Sequence, residues 1–422
     1  MAKEDSTNTL VSSAGGVMRH ARTLLGMSVA SALGIVATAG LQIVAIRGLG
    51  ASAFGLFAAF LALLNIAAIG SAALRNSTAV SIAQTISEPT PLRKPSRFDS
   101  SMVEALLLGM LCTVGILAAS SWLSSSVDSD PVVLILVGTT VVPYFLFARG
   151  LGLLQGVGRA RSVIWWTTLV QVAQFALAVA AIQLGYGAIG VLSVYAIAII
   201  LATIGATFQA KGIFVPAGVR AFSSTTLLVL SITLVFAWLT NIDVVLVRAN
   251  SAATDAGAFA AAAVLVKTTL ILPSLLSIYL LPKFVTNKGN RSATQRGVLL
   301  TILVTITAGL AIFAVLSVAS KLITGLLFGP GYDLTVSLLP MLALAWIPWA
   351  ACQALIVRVL AVATKGGLVT LLVIAALQWL IAVAVLPNIR AMIFVNGLLG
   401  IACFVALYFF HHRMLPKHNV AA

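Results

Sequence analysis

Residues 240–283 read TNIDVVLVRANSAATDAGAFAAAAVLVKTTLILPSLLSIYLLPK, two apolar runs joined by a polar turn over 250–255. The first run carries Asp243 and Arg248, and the second carries Lys267 near its middle. A charge at the centre of a bilayer costs roughly 2.5–3.5 kcal/mol on insertion scales, so it faces a protein interior or a wet cavity. Such a pair of runs predicts two membrane-crossing helices, with Lys267 held inside.

The rest of the chain has the same character. Of its 422 residues, 61% are hydrophobic and only 8% are charged, against about a quarter charged in a soluble domain. This composition predicts an all-α polytopic membrane protein. The run over 24–46 exceeds the roughly 7–15 apolar residues of a signal peptide, and many similar runs follow it, so no cleavage is expected. Cys112, Cys352 and Cys403 lie in apolar runs without CxxC or Cys/His spacing, and read as small buried hydrophobes. A net charge of +15 fits cytoplasmic loops against anionic headgroups better than a nucleic-acid partner.

A span needs about 20 apolar residues. Runs of that length predict twelve transmembrane helices, near 23–46, 54–74, 102–122, 131–149, 162–183, 187–209, 223–247, 256–281, 298–319, 333–357, 366–386 and 391–410. The expected organisation is a cytoplasmic segment (1–22), a six-helix bundle (23–210), a cytoplasmic linker (211–222), a second six-helix bundle (223–410) and a cytoplasmic tail (411–422). With both termini cytoplasmic, only Arg47, Arg248, Lys321 and Arg390 fall outside and Lys267 within a span, while every other Lys and Arg lies inside. Asp128, Asp130, Asp255 and Asp333 fall outside.

The halves align with each other. Val44–Arg47 and Ala53–Phe57 match Val245–Arg248 and Ala256–Phe259, which sets Asn65 opposite Lys267. Pro143-Tyr144…Arg159 matches Pro348-Trp349…Lys365. Six spans per half make the repeats parallel, related by an axis along the membrane normal.

Polar residues recur on single helical faces: Ser28, Ser31, Thr38 and Gln42 in the first span; Thr167, Gln171 and Gln174 in the fifth; Thr226, Thr233 and Thr240, with Asp243 a turn further, in the seventh; Lys267, Ser274 and Ser277 in the eighth. For Ser and Thr the plain reading is hydrogen bonding between helices. Gln171, Gln174 and Lys267 point to a water-filled cavity. Counted from a turn near residue 251, Asp243 and Lys267 differ in depth by about 12 Å at 1.5 Å per residue. Asp243 is therefore expected to pair with Arg248 or Arg47, leaving Lys267 for an anionic ligand. Arg47 and Arg248 have a second reading, as cations snorkelling to headgroups. Arg75, Arg149 and Arg358 read as topology determinants at inner ends, and His411-His412-Arg413 as a solvated terminus. There is no P-loop, HExxH or Ser/His/Asp pattern, and Gly150–Gly158 ends a span with no strand before it. Neither an enzyme nor a cofactor is expected.

The stretch Arg47-Gly-Leu-Gly-Ala-Ser-Ala-Phe-Gly55 resembles the R-x-L-G-x-x-x-[YF]-G signature of polysaccharide and O-antigen (Wzx-type) flippases, within the multidrug/oligosaccharidyl-lipid/polysaccharide (MOP) exporter superfamily. Asp255–Phe259, Leu281–Phe284 and Phe328–Tyr332 resemble further family motifs, in order along the chain. The resemblance implies two MATE-like bundles around a central cavity lined by the first, second, seventh and eighth spans, where Arg47, Asn65, Asp243, Arg248 and Lys267 lie. It implies alternating access by a flippase for polyprenyl-pyrophosphate-linked oligosaccharide in a bacterial cytoplasmic membrane. Its partners would be the lipid bilayer, that substrate, a polysaccharide polymerase and glycosyltransferases. Lys267, Arg47 and Arg248 would hold pyrophosphate, and Asn65, Gln42, Gln171 and Gln174 would meet sugar hydroxyls. Asp243 would serve as charge partner or coupling group. The second span has Asn65 and no mid-span cation, a departure from the more cationic relatives. The rivals are a cation-coupled multidrug antiporter, which wants cavity carboxylates, and a non-transporting scaffold of envelope synthesis. A major-facilitator transporter would need loop motifs that are absent.

Overall fold

The computed structural model describes residues 4–87, 99–118, 131–215, 220–286, 291–327 and 333–413. Their regular elements are helices: α1 (Glu4–Ser87), α2 (Ser100–Ala118), α3 (Pro131–Gly156), α4 (Ala160–Gln183), α5 (Gly187–Gln209), α6 (Ser224–Leu239), α7 (Ile242–Asn250), α8 (Ala253–Val266), α9 (Ile271–Thr286), α10 (Arg291–Val318), α11 (Ser320–Leu327), α12 (Asp333–Val362), α13 (Lys365–Val385) and α14 (Ile389–Arg413). Among the described residues, ten helical segments are long and apolar enough to cross a membrane, and Ser224–Leu239 is a shorter apolar helix. The chain is a multi-pass membrane protein. The motif over 328–332 lies outside the described residues.

Two expected boundaries differ. The first two spans were expected as separate helices near 23–46 and 54–74, yet α1 is helical throughout. No proline occurs before Pro89, so no backbone donor is missing, and Gly48 and Gly50 only lower helix propensity by about 1 kcal/mol each. The seventh span is interrupted between α6 and α7. There the Thr240 hydroxyl donates to Phe236 O (3.0 Å) and Ala237 O (3.2 Å), and Asn241 Nδ2 donates to Ala237 O (2.8 Å). Phe236 O still accepts Thr240 N–H (3.1 Å), but Asn241 N–H turns to Trp238 O (3.0 Å), and side chains meet Ala237 O in its place. A second interruption follows α8: residues 267–270 form a 3₁₀ turn. Pro273 supplies no N–H to the carbonyl of Thr269 and its ring crowds that carbonyl, which disfavours a continuous α-helix there.

The chain forms two compact units, Met1–Ser71 with Met102–Gln155 and Arg159–Ile213, and Ala72–Ser101 with Gly156–Gly158 and Phe214–Ala422. The division falls inside α1. Within the first unit, small residues permit close approach. A Cβ on Gly150 would sit 3.4 Å from that of Ala206, and one on Gly109 would sit 3.3 Å from the Val142 backbone. Thr203 donates to Pro143 O (2.9 Å) and Thr168 to Ala30 O (3.0 Å).

The second unit is built around α12, which is buried almost all round and packs on α8, α9, α10 and α14. Gln378 Nε2 donates to Leu239 O (3.0 Å) and Asn396 Oδ1 (2.9 Å), tying α13 to α6 and α14. Trp349 Nε1 donates to Asn396 O (3.1 Å) across the α12–α14 seam. A Cβ on Gly400 would lie 2.9 Å from that same nitrogen. Gly400→Ala is therefore expected to push Trp349 off its bond and cost about 1–3 kcal/mol, as overpacking does, read as a lower unfolding midpoint in detergent.

The turns that close α3–α4 and α12–α13 share a left-handed residue, Gly158 at φ +79° and Ala363 at φ +50°. Alanine strains there because its Cβ crowds the following carbonyl. Ala363→Gly is expected to stabilise the protein by about 1 kcal/mol, raising the thermal midpoint without a change in activity.

Candidate functional site

Two places concentrate the polar chemistry, one in each unit. In the second, Lys267 Nζ lies 3.0 Å from Asp243 Oδ1 and 5.0 Å from the Trp346 ring centroid. Asp243 is 1% exposed and Lys267 19%. The expectation that depth keeps these charges apart is thus corrected. Side chains lean toward the N-terminus of their own helix. Lys267 therefore reaches back along α8 toward the turn, and Asp243 leans away from the turn toward Lys267, with a four-carbon stem to close the gap. Helix ends favour the same arrangement, since Asp243 sits in the first turn of α7 and Lys267 caps the C-terminus of α8. Lys267 is not an uncompensated cation, and Asp243 already has a partner without an outer arginine.

In the first unit, a cavity of about 200 Å³ is lined by Thr38, Gln42, Tyr144, Thr167, Gln171, Gln174 and Tyr195, with Leu41, Phe147, Val170 and Ile199. Thr38 and Gln42 of the first span's stripe, and Thr167, Gln171 and Gln174 of the fifth's, thus face one space, while Ser28 and Ser31 do not line it. None of these residues is charged. Thr38 donates to Gly34 O (3.0 Å) and Thr167 to Val163 O (2.6 Å), so each hydroxyl oxygen keeps acceptor capacity toward the cavity. Gln174 is 5% exposed, and its side chain is hydrogen-bonded with Tyr195, while its Nε2 has no partner among the described residues. Gln171 Oε1 occupies the place a Cβ on residue 34 would take, so Gly34 makes room for it.

The side chains of Arg47, Asn65 and Arg248 lie outside the described residues. Thr233 donates to Val229 O of its own helix (2.9 Å) and Ser274 to Leu270 O in the preceding 3₁₀ turn (2.7 Å), so these hydroxyl protons do not bridge helices. Thr233 does accept from Asn76 Nδ2 (3.4 Å) of α1. Arg149 and Arg358 are 5% and 1% exposed. Both are buried. Arg358 donates to Phe284 O (3.4 Å) in the last turn of α9, where the helix presents carbonyls to a cation. The reading of His411 as part of a solvated tail is also corrected, because α14 runs on to Arg413 and His411 is 3% exposed, its ring 6.2 Å from that of Tyr408 one turn before. Sequence reasoning missed Tyr195, Tyr144 and Trp346 as site residues. The signal for Tyr195 was a polar-tipped ring in mid-span, which needs a hydrogen-bond partner when buried.

No family model matches the sequence, and no curated protein matches it. Among solved structures, 32 chains match. A MOP-superfamily transporter from Pyrococcus furiosus, reported with a binding pocket of reverse polarity that suggests a different function, shares 13% identity at a TM-score of 0.76. The likeness covers 94% of this chain and 96% of that one. A MATE transporter in its bent conformation shares 15% identity at a TM-score of 0.74, over 93% of this chain and 95% of the other. An outward-facing multidrug resistance MATE transporter of the same superfamily shares 14% at 0.73, over 93% and 96%. The chain has the all-helical, MATE-like fold of these transporters.

Proposed function

We propose that the protein is a membrane transporter working by alternating access, with both termini cytoplasmic and twelve spans. Its cargo is a polyprenyl-pyrophosphate-linked oligosaccharide carried across a bacterial cytoplasmic membrane for surface polysaccharide synthesis. The observation that supports this reading best is the cavity of the first unit, which is polar yet uncharged. Hydroxyls, carboxamides and tyrosine rings suit polyhydroxylated cargo, and the lining holds no carboxylate to neutralise a cation. Gln42, Gln171 and Gln174 then serve the sugar. With Lys267 bound to Asp243, Arg47 and Arg248 become the cations proposed for the phosphates, with the prenyl chain left in lipid.

The second reading, a cation-coupled multidrug antiporter, rests on Asp243, a carboxylate buried within the second unit. Depletion in the native bacterium separates the two. The proposal expects lipid-linked oligosaccharide to accumulate on the inner leaflet with drug tolerance unchanged. Drug accumulation with a normal leaflet distribution of the lipid-linked sugar supports the antiporter instead.

A further inference from the structure

Within the first unit, we propose that the cavity is a subsite for one uncharged pyranose ring of the cargo, an assignment that rests on the lipid-linked reading above. Three features carry it. The first is size: about 200 Å³ falls below the roughly 300–1,000 Å³ of pockets for drug-sized ligands, so it admits one ring rather than an oligosaccharide. The second is an unmet donor. Gln174 is 95% buried, and its amide nitrogen has no acceptor among the described residues. A buried N–H without a partner is costly, and a ligand oxygen relieves that cost. The third is the balance of the wall. Thr38 and Thr167 spend their protons on helix carbonyls and so accept from ligand hydroxyls, while Gln174 donates. A sugar hydroxyl both donates and accepts, and matches this mixture. Tyr144 and Tyr195 add aromatic surface for the apolar face of a ring.

The missing charge sets the specificity. A uronate would bring a carboxylate into a wall that holds no cation, and an unpaired buried charge is strongly disfavoured. The subsite selects neutral hexoses or N-acetylhexosamines against acidic sugars.

The test uses full-length protein in nanodiscs and three probes: farnesyl diphosphate carrying N-acetylglucosamine, the same carrying glucuronic acid, and farnesyl diphosphate alone. Two or so satisfied hydrogen bonds predict that the neutral-sugar probe binds about tenfold more tightly than the sugar-free one. Gln174→Leu is expected to bring the two within about threefold, with sugar-free binding unchanged. Gln171→Leu, at a less buried position, is read in parallel in case the first variant unfolds. If neutral-sugar and sugar-free probes bind equally to wild type, the subsite is wrong while the lipid-linked reading stands. Tightest binding of the glucuronate probe also overturns the subsite. If none of the three binds but a lipophilic cation does, the lipid-linked reading fails and takes the subsite with it.

Discussion

Asp243→Ala is expected to lower stability by about 3–5 kcal/mol, the range for removing one partner of a buried ion pair. Most of that cost comes from the ammonium left behind. Lys267 is held by Asp243 at 3.0 Å, and without the carboxylate it keeps, among the described residues, the Trp346 ring at 5.0 Å. Lys267→Met should cost a similar amount, because the Asp243 carboxylate is 1% exposed and then has no counter-charge. The double variant Asp243→Leu/Lys267→Met should recover most of the loss, since apolar replacement of a whole buried pair is often neutral or better. The three unfolding midpoints in one detergent check this. A wild-type midpoint for Asp243→Ala would mean that the pair contributes nothing.

Trp346→Ala is the other large effect expected. The indole is 1% exposed at the centre of α12, and truncating a buried tryptophan costs about 3–5 kcal/mol in transfer and cavity terms. Its Nε1 has no hydrogen-bond partner among the described residues, so Trp346→Phe breaks no hydrogen bond. That variant loses only part of the indole and should cost less than Trp346→Ala, about 1–3 kcal/mol in transfer and cavity terms. Because the ring lies over Lys267, the Trp346→Ala loss should be smaller in a Lys267→Met background, by roughly the 0.5–2 kcal/mol of a cation–π contact. Equal losses in the two backgrounds would separate the ring from the charge.

How far the fold could be read beforehand depends on which physical signal each part carries. The apolar runs were legible because a bilayer leaves few alternatives to long helices. The cavity wall was partly legible as well: Thr38 with Gln42, and Thr167 with Gln171 and Gln174, repeat at helical spacing and do line one space. Tyr195 was not, since an aromatic ring in a span reads as ordinary apolar packing until its hydroxyl finds Gln174. The Lys267–Asp243 pair was misread because depth was counted along straight rods. Side-chain lean toward each helix's own N-terminus and the reach of the Lys267 stem are local features that a depth count ignores. His411 was misplaced for a related reason. Adjacent histidines and an arginine near the chain end suggest solvent, but α14 carries His411 on into packed structure.

The central claim is that the protein carries a lipid-linked saccharide across the membrane through the first unit's neutral cavity. It is tested most directly in proteoliposomes, with a prenyl-diphosphate N-acetylglucosamine in both leaflets and an external glycosidase that trims only outward-facing sugar. Wild-type protein should let trimming proceed beyond the outer half toward completion, and Gln174→Leu protein, folded to the same midpoint, should slow that second phase. Trimming that stops at the outer half with wild-type protein, while the same vesicles take up a lipophilic cation, would contradict the account.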